Sequence, residues 1–357
     1  MASRQYETLN GMRGLAAVAV LVLHSAPVVF AADILPSAYR AVDLFFVLSG
    51  FVIATAYEPR FARGLTVSQF FTTRLIRLYP LFFLGSLVGL GGLLATIVVH
   101  HAEISLVGAG KAAALNLLML PSWFTAAEVQ PLFPLNGPAW SLFWEMVVNF
   151  VYVIAWPILT TRRLIGLTAI SAAALATWSI LHGKADGGVY WEGAASGGLR
   201  AAFGFSLGVL FQRARGFAAR REGPVSYLLL ALLIPIFATP LAWQAWSDPL
   251  CVFLLIPALV WAGISVEPPP RARSTFAMMG AVSYALYALH FPVLQWVARV
   301  LKLLPPHALT PWIGFAFLPL VVLGAWAADR WFDAPVRAWI SGRLARQPLP
   351  AQAAKLK

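Results

Sequence analysis

Residues 9–25 read Leu9-Asn10-Gly11-Met12-Arg13-Gly14-Leu15-Ala16-Ala17-Val18-Ala19-Val20-Leu21-Val22-Leu23-His24-Ser25, and this stretch decides the fold. From Leu15 to Leu23 every residue is apolar, without the period-2 alternation of a barrel strand. A helix of about 20 mostly apolar residues crosses the hydrocarbon core of a bilayer. Arg13 and His24 flank the run eleven residues apart, close to three helical turns. They therefore share one face, about 16 Å apart. Ionisable groups inside a span are costly and by default mark a site. For Arg13, snorkelling to lipid phosphates is the competing reading; for His24, an interhelical hydrogen bond. Val29-Phe30-Ala31 resembles a signal-peptide cleavage site. The polar residues just before it favour an uncleaved first span.

The rest of the chain has the same character. Of 357 residues, 60% are hydrophobic and 11% charged, and the mean hydropathy is +0.76. Soluble domains carry roughly 25% charged residues. So few charges cannot cover a surface against water, so lipid is the solvent, and the backbone must close its hydrogen bonds in helices or a barrel. The net charge of +12 does not imply nucleic acid. The arginines cluster in short segments between apolar runs, as the positive-inside rule requires. The single cysteine, Cys251, excludes intramolecular disulfides.

Candidate spans fall near 10–30, 40–57, 78–100, 140–160, 163–181, 198–213, 225–243, 249–266, 277–302 and 312–330. The expected fold is an all-α polytopic transmembrane bundle of about ten spans. With the N-terminus inside, ten crossings put every basic segment on the cytoplasmic side: Arg60 to Arg77, Arg162-Arg163, Arg213 to Arg221, Arg271 and Arg273, and the C-terminal tail. Segment 105–122, interrupted by Lys111 and Asn116, would reverse that order if it crossed. It reads as a re-entrant or surface helix on the outer side, followed by an irregular stretch with Pro121, Pro131, Pro134 and Pro138. The expected division is a transmembrane domain over 1–337 and a disordered basic cytoplasmic tail over 338–357. Gly204 and Gly208 form a small-xxx-small pair suited to close helix packing, as does Ser49-Gly50.

Further polar residues interrupt later spans. Asp43 enters the second span from the outer side, at a depth comparable with His24, and an acid beside an imidazole can orient it. Arg74 and Arg77, at i and i+3, project from one face before the third span. They suit the phosphates of a nucleotide-bearing donor or simple membrane anchoring. Trp140-Ser141-Leu142-Phe143-Trp144-Glu145 opens the fourth span, with Asn149 at i+4 from Glu145. Ser283-Tyr284-Ala285-Leu286-Tyr287-Ala288-Leu289-His290-Phe291-Pro292 lies in the ninth, where Pro292 frees a carbonyl for a polar partner. A structural bond and a catalytic role remain equally open for His290. His100, His101 and His182 do not make a metal site, because adjacent histidines cannot face one ion from a helix.

This ordered series, from Tyr6 to about Arg337, resembles the acyltransferase family 3 of membrane proteins, which acylate cell-surface carbohydrates and some other small acceptors. The resemblance implies a ten-span core with cytoplasmic termini, acyl-CoA as donor with acetyl as the default group, a catalytic residue at His24 and a donor site at Arg74 and Arg77. Many relatives carry a fused extracytoplasmic esterase-like domain; the chain is expected to be a stand-alone member. Asp333-Ala334-Pro335 stands where the family usually has Glu-x-Pro. On this basis the expected enzyme is an acyl-CoA-dependent O-acyltransferase of a bacterial inner membrane, acting on a carbohydrate or lipid-linked sugar, with membrane lipids as its other partners. His24, Asp43 and Glu145 would do the chemistry, with Asp43 or Glu145 orienting His24. Arg13, Arg74 and Arg77 would hold the donor, and Trp140, Ser141, Tyr284 and His290 the acceptor. Direct transfer and an acyl-histidine relay both remain open. The alternative reading is a transporter or flippase for a polar lipid or sugar, with the same residues lining a path.

Overall fold

Long apolar runs become helices here because lipid offers the backbone no other partner. The structure, a computed structural model, describes residues 6–100, 106–123, 131–217, 221–304 and 312–345. In chain order these form α1 (Glu7–Val29), α2 (Ala41–Phe61), α3 (Val67–His100), α4 (Leu106–Leu117), α5 (Ala139–Ala155), α6 (Thr161–His182), α7 (Ala194–Ala214), α8 (Val225–Ala231), α9 (Leu233–Ala238), α10 (Gln244–Leu250), α11 (Ile256–Ser265), α12 (Arg273–Leu301), α13 (Trp312–Ala328) and α14 (Ala334–Ala345). A π-helical turn, Cys251–Leu255, joins α10 to α11, and another, Asp329–Asp333, joins α13 to α14. The described sheet is one parallel pair, Arg221–Glu222 with Val266–Glu267.

Nine helical segments among the described residues are long and apolar enough to cross a membrane, and Val225–Ala238 is a shorter apolar one. Side-chain ties sort the helix ends into two groups. At the basic end, Arg213 and the Tyr152 hydroxyl both donate to Glu58, and Arg213 also donates to the Leu159 carbonyl. There too the Glu7 amide donates to Glu267, whose own carbonyl accepts from Gly223. At the opposite end Arg40 pairs with Asp248, the Ala185 amide donates to Asp248, and the Ser37 amide donates to the Phe237 carbonyl. The α8–α9 stretch runs from Gly223 in the first group to Phe237 in the second. Its 14 residues rise about 21 Å. It reaches from one end of the bundle to the other but is shorter than a full span and broken at Leu232, so nine full-length candidates stand among the described residues where about ten were expected.

The 12 residues of α4 rise only about 18 Å, too little to cross. Asn116 on α4 donates to the carbonyls of Leu120 and Leu132 and accepts from the Leu135 amide. This ties the helix to the proline-rich loop, which does not stay at the surface. Asn136 donates to the Ala288 carbonyl of α12 at 2.9 Å, the group Pro292 leaves free. A β-carbon on Gly89 of α3 would strike the Leu135 carbonyl. Irregular backbone at that depth is tolerated because protein surrounds it. Its consequence is that α5 begins well inside the bundle. The expected tail boundary at 337 also falls within a helix, since α14 runs to Ala345; residues 346–357 lie outside the described residues.

Two glycine contacts set the central helix pairs. Gly11, Gly14 and Gly280 let α1 and α12 run side by side in the same direction, with Phe276, Met279 and Asn10 filling the space a β-carbon would take. The second is α2 against α7, as the glycine spacing predicts: a β-carbon on Gly50 would meet the Phe205 carbonyl, and one on Gly208 the Val47 carbonyl. Backbone cannot yield as a flexible side chain can. Gly50→Val is therefore expected to lose more than about 3 kcal/mol of stability, the upper part of the overpacking range. Thermal unfolding of the detergent-solubilised protein measures it, and an unchanged midpoint would refute the close crossing.

Candidate active site

Since α1 and α12 are parallel neighbours, positions along α12 give the depth of every polar group that touches it. Nearest the basic end, Arg13 donates to the Gly280 carbonyl at 2.6 Å and to Asn10 at 3.4 Å, both neutral acceptors. One turn deeper, the Tyr284 hydroxyl donates to the Leu78 carbonyl of α3. Next, the Tyr287 and Ser141 hydroxyls lie 2.6 Å apart, and Tyr287 also reaches the Pro138 carbonyl at 3.1 Å. Deepest, His24 Nδ1 meets His290 Nε2 at 3.0 Å. The two rings are nearly parallel with centroids 5.2 Å apart, and Phe291 packs edge-on to His24 at 5.3 Å.

Below the histidines lies a cavity of about 140 Å³ whose wall includes Arg13, Ser49, Arg74, Arg77, Ser141, Glu145, Ser283, Tyr284 and Tyr287. At about 30 Å³ per water, it admits a narrow arm rather than a whole coenzyme. Glu145 is the one carboxylate of this lining and faces three arginines. It accepts from Arg74 at 2.7 Å and from Ser49 at 2.9 Å. Arg77 points to the buried Asp333 at 3.4 Å and lies over the Tyr284 ring. Asp333 is turned inward at the π-helical turn and also pairs with Arg337 at 2.8 Å. The shorter acid in the Asp333-Ala-Pro335 motif thus reaches Arg77 but not Arg74, which Glu145 holds. Tyr287 closes the inner wall of the cavity, and its ring is 5.9 Å from that of His290.

The geometry rearranges the expected partnerships. Asp43 does not orient His24. Its two oxygens accept from Arg200 Nε and Nη2 at 2.9 and 2.8 Å, because the glycine crossing turns this face of α2 towards α7. Glu145 does not reach His24 either. The inward loop starts α5 deep in the bundle, so a turn and a half along it the carboxylate is among the arginines. Trp140 is buried beneath Gly188 and Gly197, stacked over Arg200, and is absent from the cavity lining. His290 is fully buried and binds His24 and the Leu286 and Tyr287 carbonyls, and it is absent from the cavity lining. Ser141 and Tyr284 do line the cavity. Sequence reading passed over Arg200, Ser49 and Tyr287 as contributors. For Arg200 the signal was available as an arginine seven residues into a span; Ser49 and Tyr287 had only a neighbouring motif.

No group of three or more His, Cys, Asp or Glu among the described residues is placed to hold a metal; His101 lies outside them. His182 stacks on Trp178 one turn back. The arginines are the feature suited to an anionic ligand.

A bundle of membrane-crossing helices enclosing charged and imidazole groups is an integral membrane protein with a buried polar site. The chain belongs to the acyltransferase family 3, whose acyltransferase domain matches residues 6–330. Over 176 residues, 47% of the chain and 91% of the relative, it is 39% identical to Protein 2 in picA locus of Rhizobium radiobacter. It is 26% identical to Acyltransferase MdmB of Streptomyces mycarofaciens, covering 82% of the chain and 80% of that protein. It is 23% identical to Peptidoglycan O-acetyltransferase OatA of Listeria monocytogenes over 94% of the chain but 56% of the length of that protein. No solved structure matches.

Proposed function

We propose that this acyltransferase takes an acyl group, acetyl in the first instance, from acyl-CoA at the cytoplasmic face of a bacterial inner membrane. The acceptor is a hydroxyl of a carbohydrate or a lipid-linked sugar. The observation that carries the proposal is the convergence of Arg13, Arg74 and Arg77 on one cavity whose inner wall, Tyr287, lies one turn from the His24–His290 pair. Three guanidinium groups against one lining carboxylate favour phosphate, which arginine binds through paired N–H donors. The cavity width suits a pantetheine arm leading the thioester inwards. His24 takes the proton of the acceptor hydroxyl as its oxygen attacks the thioester carbonyl carbon. The C–O bond forms, the C–S bond breaks, and the departing CoA thiolate takes the proton back from the imidazolium. The carbohydrate acceptor is supported by the name of the Listeria relative, a peptidoglycan O-acetyltransferase.

Mass spectrometry of surface glycans from cells with and without the protein tests the reaction: the expected result is a difference of one acyl group. In purified protein, Arg74→Gln is expected to raise KM for acetyl-CoA about tenfold or more. A charge-assisted hydrogen bond contributes about 1.5–3 kcal/mol, and each 1.4 kcal/mol is about tenfold. An unchanged KM would remove Arg74 from the donor site.

A further inference from the structure

His290 makes three ring contacts, and together they fix where its proton is. Its Nδ1 lies 3.0 Å from the Leu286 carbonyl and 2.9 Å from the Tyr287 carbonyl. Carbonyl oxygens only accept, so Nδ1 carries the hydrogen. In the neutral ring Nε2 is then a bare acceptor, and it faces His24 Nδ1 at 3.0 Å. Two bare nitrogens would repel at that distance, so His24 Nδ1 must donate. With its proton on Nδ1, neutral His24 keeps Nε2 as its basic nitrogen.

We propose that His290 is a positioning residue, which holds His24 in the Nδ1–H tautomer so that Nε2 receives the acceptor proton. The relay runs from the Leu286 and Tyr287 carbonyls through His290 to His24. A carboxylate does the equivalent work in the Ser-His-Asp triad. Here a neutral imidazole does it, so no further charge is brought into the membrane interior. The register is built by the glycine-lined α1–α12 contact. Asn136 secures it by taking the Ala288 carbonyl freed by Pro292, two residues before His290.

The inference rests on His24 being the base, and the experiment separates the two. Protein carrying ¹⁵N-labelled histidine in lipid nanodiscs reports the tautomer directly, with the His24 signal assigned by its loss in His24→Ala. The expected resting state is Nδ1 protonated and Nε2 bare. His290→Phe keeps the volume but removes the acceptor. It should release His24 into the other tautomer and lower kcat with acetyl-CoA about 10–100-fold, the usual cost of losing an orienting partner, with KM for acetyl-CoA unchanged. In His290→Gln the amide oxygen again accepts from His24 Nδ1, which should restore most of the rate and the tautomer. Should the phenylalanine variant fail to insert, His290→Asn, too short to reach His24, provides the same comparison. Activity retained in His24→Ala would overturn the base itself. An inactive His24→Ala alongside an unchanged tautomer and rate in the His290 variants would overturn only the relay.

Discussion

His24→Ala is expected to lower acyl transfer by roughly 10²–10⁴-fold, the contribution of a positioned general base, while the protein still inserts. The residue sits at the inner end of the polar ladder along α12, against His290, where a donor arm passing the arginines would bring its thioester. Replacement leaves His290 Nε2 without its partner. An unsatisfied buried group costs about 1–3 kcal/mol, so thermal unfolding must be recorded beside the rate. The two effects are separable because the chemical loss appears in kcat at temperatures where the variant is fully folded. Were His24 an acyl-carrying nucleophile, the loss would be complete and no acyl-enzyme would be trapped in the variant. A folded variant within tenfold of the wild-type rate would sink both forms of the mechanism.

The second large effect concerns stability. Arg200→Ala is expected to cost about 3–5 kcal/mol, the range for breaking a buried ion pair from one side. Side-chain exposure is 1% for Arg200 and 5% for Asp43, and the pair is bidentate. Removing the cation strands the Asp43 carboxylate in the bundle and also releases the partly exposed Asp186, which Arg200 meets at 3.4 Å, whereas Asp43→Leu with Arg200→Leu removes the fully buried pair and should recover most of the loss. The unfolding midpoint of purified protein in detergent distinguishes these cases. The same pair tests the reassignment of Asp43. If Arg200→Ala stayed fully stable yet lost its activity, Asp43 would belong to the chemistry after all.

Both predictions depend on partnerships that only the assembled bundle reveals. The residues themselves were legible, because a charge or imidazole in a 20-residue apolar run stands out against its cost. Arg13, His24, Asp43, Arg74, Arg77, Glu145 and His290 could all be picked out in this way. Their pairing depended on depth, and depth was misjudged at one place, the loop 131–138. Read only as an irregular stretch leading into a fourth span that enters from the outer side, it left Glu145 within reach of His24. Packed inside the protein through Asn136 and Leu135, it moves Glu145 to Arg74.

By itself the sequence determined the solvent and the helical class, with most of the spans, since each follows from local composition: apolar length, the scarcity of charge and the glycine spacing on α7. The tertiary structure alone decided that Asp43 holds Arg200, that Asp333 joins Arg77, and that His24 answers to His290. These are contacts between residues 157, 256 and 266 positions apart. No local pattern encodes such contacts, because they arise from which helix faces meet, and that is settled by packing across the whole bundle.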